Sequence, residues 1–403
     1  MASRWFRKSV FNLHSWLGLH VFIVLGSIFL TGTLLVFGAE IDAAFDETRR
    51  VETPSAERNV SFGQLFDGVR AYDPEATILE LNRGETSWIA DDVVIRTASG
   101  TQVTAWSDPQ TGTVNGTTGN TDIRRILFEF HASFLTDSPY GNLLLTLFTV
   151  PLLLFIITGL ISYRRFWKGF FRLPPRHLGA RGWWGGAHRL VMLWSLPFLI
   201  IITLTSLWYL LGALRLTGEE AYLDIPPTSP RETVLPADFD GTALDRVVAA
   251  AVASVPEMDP SLVVLPSHPS GPVAVLGYGP VPLMSDEAQG VFVEPGTFEV
   301  LGRYQPSDFP LNMRVNEIND RLHFGDWGGF WSRVLWLGFG ILGTFGMAAG
   351  ALIYAARIAA PDGAEPVVGV SRRLWRAMSV FKWTLPVWAV GILVITGIRF
   401  GLF

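Results

Sequence analysis

Long uncharged stretches alternate with polar segments along the chain. Five stretches contain no Asp, Glu, Lys or Arg, at residues 9–39, 138–163, 190–214, 334–356 and 383–398. A helix needs about 20 residues to cross the ~30 Å hydrocarbon core of a membrane, and the first four stretches are longer than this. The fifth is shorter, but Lys382 and Arg399 beside it can extend their charges to the interfaces. The pattern therefore predicts about five transmembrane helices.

The two largest polar segments have the same internal order. In the first, a helical pattern at 62–72 precedes strand-like runs at 88–96 and 101–108. In the second, a helical pattern at 244–254 precedes strand-like runs at 262–265, 273–278 and 290–294. Each segment ends in a similar turn, at 108–112 and 294–298. The chain is thus predicted to run span, α+β module, span, twice over, followed by one more span.

These elements define the predicted fold class. The protein is expected to be a membrane protein, an α-helical bundle of about five transmembrane helices with two small α+β modules outside. The chain would consist of two parallel repeats, each made of a span, a module and a second span, followed by one more helix. The predicted spans are 1–40, 131–165, 188–214, 323–357 and 379–403, the modules are 41–130 and 215–322, and the loops are 166–187 and 358–378.

The basic residues predict the orientation. Residues 4–8, at the start of the first predicted span, and the loop at 166–187 contain Arg and Lys but no Asp or Glu. By the positive-inside rule both lie in the cytosol, so the N-terminus is cytosolic and both modules are periplasmic. A bacterial inner membrane is the expected location.

Composition limits the possible chemistry. The chain is 49% hydrophobic, has a net charge of −5 and contains no Cys. With 3 Lys among its 31 basic residues, the chain also carries no basic arm or stripe that would hold a phosphate backbone, so no nucleic-acid partner is expected. Without thiolates, a metal must be held by His or carboxylate, and there are seven His.

Four of these histidines occupy matching positions in the two repeats. His14 precedes Thr31 by 17 residues and His188 precedes Thr205 by 17, while His131 and His323 each precede a later span. A parallel repeat places His14 and His188 at the cytosolic interface and His131 and His323 at the periplasmic one.

Equivalent side chains that face each other across the repeat axis can hold one haem iron between two imidazoles. We therefore expect two haems b, with His14, His188, His131 and His323 as iron ligands. For any single histidine, a structural imidazole bonded to backbone or headgroup is an equally simple explanation. His20, six residues after His14, is either an alternative ligand or a buried polar residue.

Arginines and aromatic residues beside these histidines suit a porphyrin. Haem propionates could pair with Arg189 or Arg164 at the cytosolic side, and with Arg125 or Arg333 at the periplasmic side. The alternative explanation for the presence of each arginine is that it sets the membrane topology or contacts a lipid headgroup. Trp327 and Phe324 are expected at the rim of the periplasmic haem.

Three motifs resemble those of the PepSY-associated transmembrane family. They are Leu13-His14-Ser15-Trp16-Leu17-Gly18-Leu19, Leu322-His323-Phe324-Gly325, and the module end from Asp108 to Val114. In the second module Glu294 and Phe298 stand where the family pattern prefers Asp and Gly. The resemblance implies an inner-membrane haem b reductase that releases iron from ferric siderophores.

Two functions of different class follow. In the first, electrons from quinol or a cytosolic reductase cross the membrane through two haems and reduce a periplasmic ferric siderophore. In the alternative, a non-enzymatic PepSY protein binds or regulates a periplasmic partner.

The charge of the two modules bears on the substrate. Residues 38–130 contain 16 acidic and 8 basic residues, and residues 214–325 contain 16 acidic and 6 basic residues. This excess of negative charge favours a neutral or cationic chelate. Such a chelate is expected to dock between the two modules, in contact with Trp327 or Phe324.

Overall fold

The computed structural model describes residues 4–55, 59–84, 86–136, 139–163, 165–174, 177, 179–217, 235–266 and 271–358, together with 383, 390 and 394. The chain divides into two compact units. The helical unit comprises residues 1–37, 126–217 and 322–403, and the sheet unit comprises residues 38–125 and 218–321.

The described helices and strands are as follows in chain order. The helices are α1 (Arg4–Leu35), α2 (Gly38–Phe45), α3 (Phe62–Tyr72), α4 (Ile123–Ser133), α5 (Pro139–Thr146), α6 (Thr149–Ser162), α7 (Gly179–Trp194), α8 (Leu196–Ala213), α9 (Gly241–Ser254), α10 (Leu311–Phe324) and α11 (Gly329–Ile358). The strands are β1 (Thr77–Asn82), β2 (Asp91–Arg96), β3 (Gln102–Ser107), β4 (Val114–Thr118), β5 (Asp259–Val264), β6 (Val273–Tyr278), β7 (Gly290–Val293) and β8 (Val300–Tyr304).

Four of the described helical segments are long and apolar enough to cross a membrane. They are Arg4–Leu35, Tyr140–Ser162, Leu196–Ala213 and Gly329–Tyr354. In the helical unit α1 packs against α6 and α11, and α11 packs against α7. The fifth predicted span, 379–403, lies outside the described residues except for Trp383, Val390 and Val394.

Three of the four matched histidines lie on helices that precede the membrane-spanning helices rather than on the spans themselves. His131 is on α4, His188 is on α7 and His323 is on α10, whereas the predicted spans 131–165, 188–214 and 323–357 included all three. After α4 the chain is turned by Phe134 and Leu135, which have φ angles of 53° and 63° and so cannot continue a helix. A run of uncharged residues in the sequence does not reveal such a break.

The two predicted modules form one continuous sheet. Its eight strands are arranged in the order β4-β3-β2-β1-β5-β6-β7-β8, and all described neighbours are antiparallel. β1 of the first module pairs with β5 of the second, with Leu81 opposite Val263. The expectation of a docking cleft between two separate modules is therefore wrong, because the modules are joined edge to edge.

A shared core holds the sheet unit together. α3 contacts β1, β3 and β4, α9 contacts β5 to β8, and the two helices pack against each other. The fully buried residues include Phe66 and Val69 of α3, Leu244 and Val247 of α9, and Val93 of β2. Because the two helices also pack against each other and β1 pairs with β5, each module buries more apolar surface in the joined unit than it could alone.

The two helices also cap each other. The Asp245 carboxylate accepts a 2.8 Å hydrogen bond from the Gly63 N–H, and Asp67 accepts a 2.8 Å bond from the Gly241 N–H. A carboxylate stabilises the free N–H groups at a helix N-terminus. Each aspartate lies four residues after the glycine of its own helix, so the exchange has twofold pseudo-symmetry. No side chain fits at Gly63 or Gly241, because each Cβ would meet the other's carbonyl oxygen.

The second module has the same terminal turn as the first despite its different residues. Oε2 of Glu294 accepts from the Gly296 N–H, as Oδ1 of Asp108 accepts from the Gln110 N–H. Phe298 has φ 63°, in the left-handed region that Gly112 also adopts with φ 73°. The Arg246 guanidinium lies 3.9 Å from the centroid of the Phe298 ring, a contact that offsets the unfavourable backbone of a non-glycine residue.

Candidate functional site

The helical unit brings the four matched histidines together as two pairs. The ring centroids of His14 on α1 and His188 on α7 are 6.4 Å apart. Those of His131 on α4 and His323 on α10 are 6.1 Å apart. Thr31 contacts His131 and lies 17 residues after His14 on α1. The two pairs are therefore separated by about 25 Å along this helix.

Every one of these imidazoles is held by a hydrogen bond to Nδ1. The acceptors for His188 and His131 are the backbone carbonyls of Gly346 and Ile28, at 2.7 and 2.9 Å. Because a carbonyl oxygen can only accept, Nδ1 of both rings carries the proton.

The other two imidazoles bond to threonine hydroxyls at 2.9 Å, His14 to Thr158 and His323 to Thr205. Both hydroxyls donate their hydrogen to a backbone carbonyl of their own helix, so their oxygens accept from Nδ1.

The hydrogen-bond network therefore assigns one tautomer to all four rings, with the lone pair on Nε2. A metal-binding histidine characteristically donates its other ring N–H to a carbonyl or a polar side chain, which fixes the ring and raises its basicity. The two pairs can thus present Nε2 atoms as ligands.

Three of the rings pack against glycines on a neighbouring helix. A Cβ at Gly32 would lie 2.6 Å from Cε1 of His131, and Cβ atoms at Gly159 and Gly350 would lie 3.5 and 3.3 Å from Cε1 of His14 and His188. The glycines allow the imidazoles to lie close to the helix backbones.

His20 occupies a different position from His14. Its Nδ1 bonds to the Trp16 carbonyl of the same helix at 2.7 Å, and its ring lies on the Trp16 ring with centroids 4.6 Å apart. The structure thus places His14 beside His188 and His20 beside Trp16.

The predicted arginines have varied surroundings. Nε and Nη2 of Arg333 donate to the Val36 carbonyl at the end of α1, at 2.9 and 2.7 Å. The Arg189 guanidinium lies 6.0 Å from the centroid of the Tyr163 ring. Arg125 belongs to the sheet unit, where Nη1 donates to the Asn120 carbonyl, and Arg164 lies outside the described residues. A role for any of them with propionates stays a prediction.

Two aromatic rings lie beside His323. Phe324 lies 6.0 Å from His323 between ring centroids and is half exposed. Trp327 packs edge-on against Trp336 at 5.6 Å. Tyr209 lies 5.1 Å from His323, closer than Phe324. Sequence reasoning missed Tyr209, because the equivalent position of the first repeat is Leu35.

Two acidic groups of the sheet unit have raised pKa values. Burial raises the pKa of Asp92 to about 6, although a hydrogen bond from Asn82 opposes the shift. Burial also raises the pKa of Glu287, with further contributions from Asp286 and Glu317. Both shifts make these carboxyl groups easier to protonate than an ordinary Asp or Glu side chain.

Among the described residues, no group of three or more His, Asp or Glu side chains could hold a bare metal ion. Each site instead offers two facing imidazoles. Together with the four apolar helices, these features define a helical membrane protein with an additional α+β sheet unit.

A comparison with protein families identifies this class more closely. The model described as the PepSY-associated TM region matches residues 11–357. The chain therefore belongs to the PepSY-associated transmembrane family. A comparison with curated proteins found no match.

Proposed function

We propose that the protein is a di-haem b oxidoreductase of the bacterial inner membrane. It would carry electrons across the membrane and reduce a periplasmic ferric siderophore, which then releases its iron. The observation that carries this proposal is the pair of facing imidazole sites, each with Nδ1 bonded to the protein and the lone pair on Nε2.

The spacing of the rings supports haem iron. Metal–imidazole bonds are about 2 Å long, and a ring centroid lies about 1 Å behind its nitrogen, so two rings on one iron have centroids about 6 Å apart. The two pairs have centroid distances of 6.4 and 6.1 Å. Two protein ligands suffice for haem, because the porphyrin supplies the remaining four nitrogens.

The protein residues would have distinct roles in this reaction. His14 and His188 would hold one haem, and His131 and His323 the other. Bound haem supplies one-electron transfer. The separation of the pairs along α1, about 25 Å, is comparable with the ~30 Å hydrocarbon core. Hard oxygen chelators bind ferric iron more tightly than ferrous iron, so reduction promotes release.

The acidic composition of the sheet unit favours a neutral or cationic chelate. Residues 38–130 and 214–325 both contain at least twice as many acidic as basic residues. An anionic chelate would be repelled by this surface, most strongly at low ionic strength.

The test is reduction of ferric chelates by the full-length protein in liposomes. The protein, reduced beforehand, is mixed with cationic, neutral and anionic ferric chelates, and ferrous iron is trapped with a coloured chelator. We expect faster reduction of the cationic and neutral chelates than of the anionic one. A protein that reduces none of them above the rate of empty liposomes would favour the non-enzymatic alternative, in which the sheet unit binds or regulates a periplasmic partner.

Replacing Thr205 with Val is expected to weaken haem binding at the His131–His323 pair. The change removes the hydroxyl that accepts from Nδ1 of His323 while keeping the shape of the side chain. Loss of such a partner costs about 10- to 100-fold in metal affinity. The rate of haem transfer from the protein to excess apomyoglobin measures the effect.

Thr203→Val is the matched control for this change. Thr203 is buried on the same helix, and its hydroxyl donates to the Leu199 carbonyl of that helix. We expect its haem transfer to match that of the unaltered protein. Equal transfer rates in both variants would show that Thr205 does not support a haem ligand.

A further inference from the structure

His20 and Trp16 form an aromatic pair on α1, apart from the two facing histidine pairs. Their ring centroids are 4.6 Å apart, with the ring planes tilted by 36°, and Trp16 is 48% exposed in the structure. Trp16 and His20 lie within the apolar helix Arg4–Leu35. In a membrane, the exposed side of Trp16 would face lipid.

An ionisable side chain inside a transmembrane helix is costly and usually functional. His20 is six residues from His14, about 9 Å along α1. Because its Nδ1 donates to the Trp16 carbonyl, the lone pair of the neutral ring is on Nε2.

We propose that a lipid-soluble hydroquinone binds at Trp16 and His20 and supplies the electrons for the reaction. This inference rests on the proposed function and selects a quinol, rather than a cytosolic reductase, as the electron donor. The exposed indole offers a flat surface for the hydroquinone ring. Nε2 of His20 accepts a hydrogen bond from one hydroxyl group and takes its proton during oxidation.

The oxidation balances with the proposed reaction. One hydroquinone loses two electrons and two protons as its two O–H bonds break, and it becomes a quinone. One proton goes to His20 and the other to interfacial water. The two electrons leave one at a time towards the His14–His188 pair, and they convert two ferric ions to ferrous.

The experiment uses the full-length protein in liposomes with decylubiquinol as the donor. Haem reduction is followed by absorbance for the unaltered protein, His20→Asn and the control Ser27→Ala. Ser27 is on the same helix, where its hydroxyl bonds to the Val24 carbonyl. We expect His20→Asn to slow reduction by decylubiquinol at least tenfold while both haems and the rate with dithionite are retained. Ser27→Ala should behave like the unaltered protein.

A second readout detects binding without electron transfer. A photoreactive azidoquinone should label a peptide from Arg4–Leu35 in the unaltered protein, and decylubiquinol should compete with it. Labelling only elsewhere, or an unchanged decylubiquinol rate in His20→Asn, would overturn the quinol site. Loss of one haem in His20→Asn would overturn it as well, because His20 would then be an iron ligand. Absence of haem from the unaltered protein would refute the proposed function instead, and quinone labelling would still report on the site.

Discussion

Replacing His323 with Ala is expected to lower the haem content from two per chain to one and to abolish reduction of an external ferric chelate. His323 provides one of two facing imidazoles, and the change leaves His131 without the imidazole that the structure places opposite it. The haem at His14 and His188 should stay reducible, because its ligands are about 25 Å away along α1. Haem per chain and chelate reduction are measured on the same sample.

His131→Ala should reproduce this result, since it removes the other member of the pair. His268→Ala is the control, because His268 lies outside the four matched positions, and both haem content and chelate reduction should be unchanged. Loss of both haems in His323→Ala would show that the two sites do not fold independently. Full haem content in both His131→Ala and His323→Ala would exclude this pair as ligands.

Replacing Gly241 with Ala is expected to destabilise the sheet unit strongly. A Cβ at Gly241 would collide with the Gly63 carbonyl and with Asp67. Both belong to α3, at the place where this helix packs against α9. Such overpacking costs about 1–3 kcal/mol, and the lost cap of the Gly241 N–H adds about 1 kcal/mol. For a unit of this size, the unfolding temperature should fall by roughly 5–15 °C.

Differential scanning calorimetry of the full-length protein measures this change, and Gly119→Ala is the control. A Cβ at Gly119 would meet no atom within 4 Å. Gly63→Ala should be as damaging as Gly241→Ala, because the crossing is nearly symmetric. An unfolding temperature within 2 °C of the unaltered protein for both variants would contradict the described packing of α3 on α9.

The repeat made the histidine pairs predictable. Equal spacing from His14 to Thr31 and from His188 to Thr205 placed corresponding residues at equal depth, and the structure brings each pair together. The hydrogen-bond acceptors of His14 and His188 could not be predicted in the same way. They depend on the rotation of neighbouring helices, which spacing along one chain does not determine.

In the modules too, the sequence predicted some of the helices and strands but not how distant strands pair. The helix predicted at 62–72 and the strand predicted at 273–278 are confirmed as α3 and β6. β1, β4 and β8 were missed, and so was the pairing of β1 with β5. β4 and β8 are edge strands, whose periodic pattern is weak, and in the central strand β1 an irregularity between Ile78 and Glu80 interrupts the alternation. Pairing between distant segments has no local signal in the sequence.

The most direct test of the central claim is the haem content of the purified protein. A pyridine haemochrome assay with quantitative amino-acid analysis gives moles of haem b per mole of chain, and the visible spectrum shows whether dithionite shifts the Soret band. We expect two haems b per chain, both low-spin because two imidazoles would hold each of them. A colourless protein, or a ratio near one, would contradict this expectation.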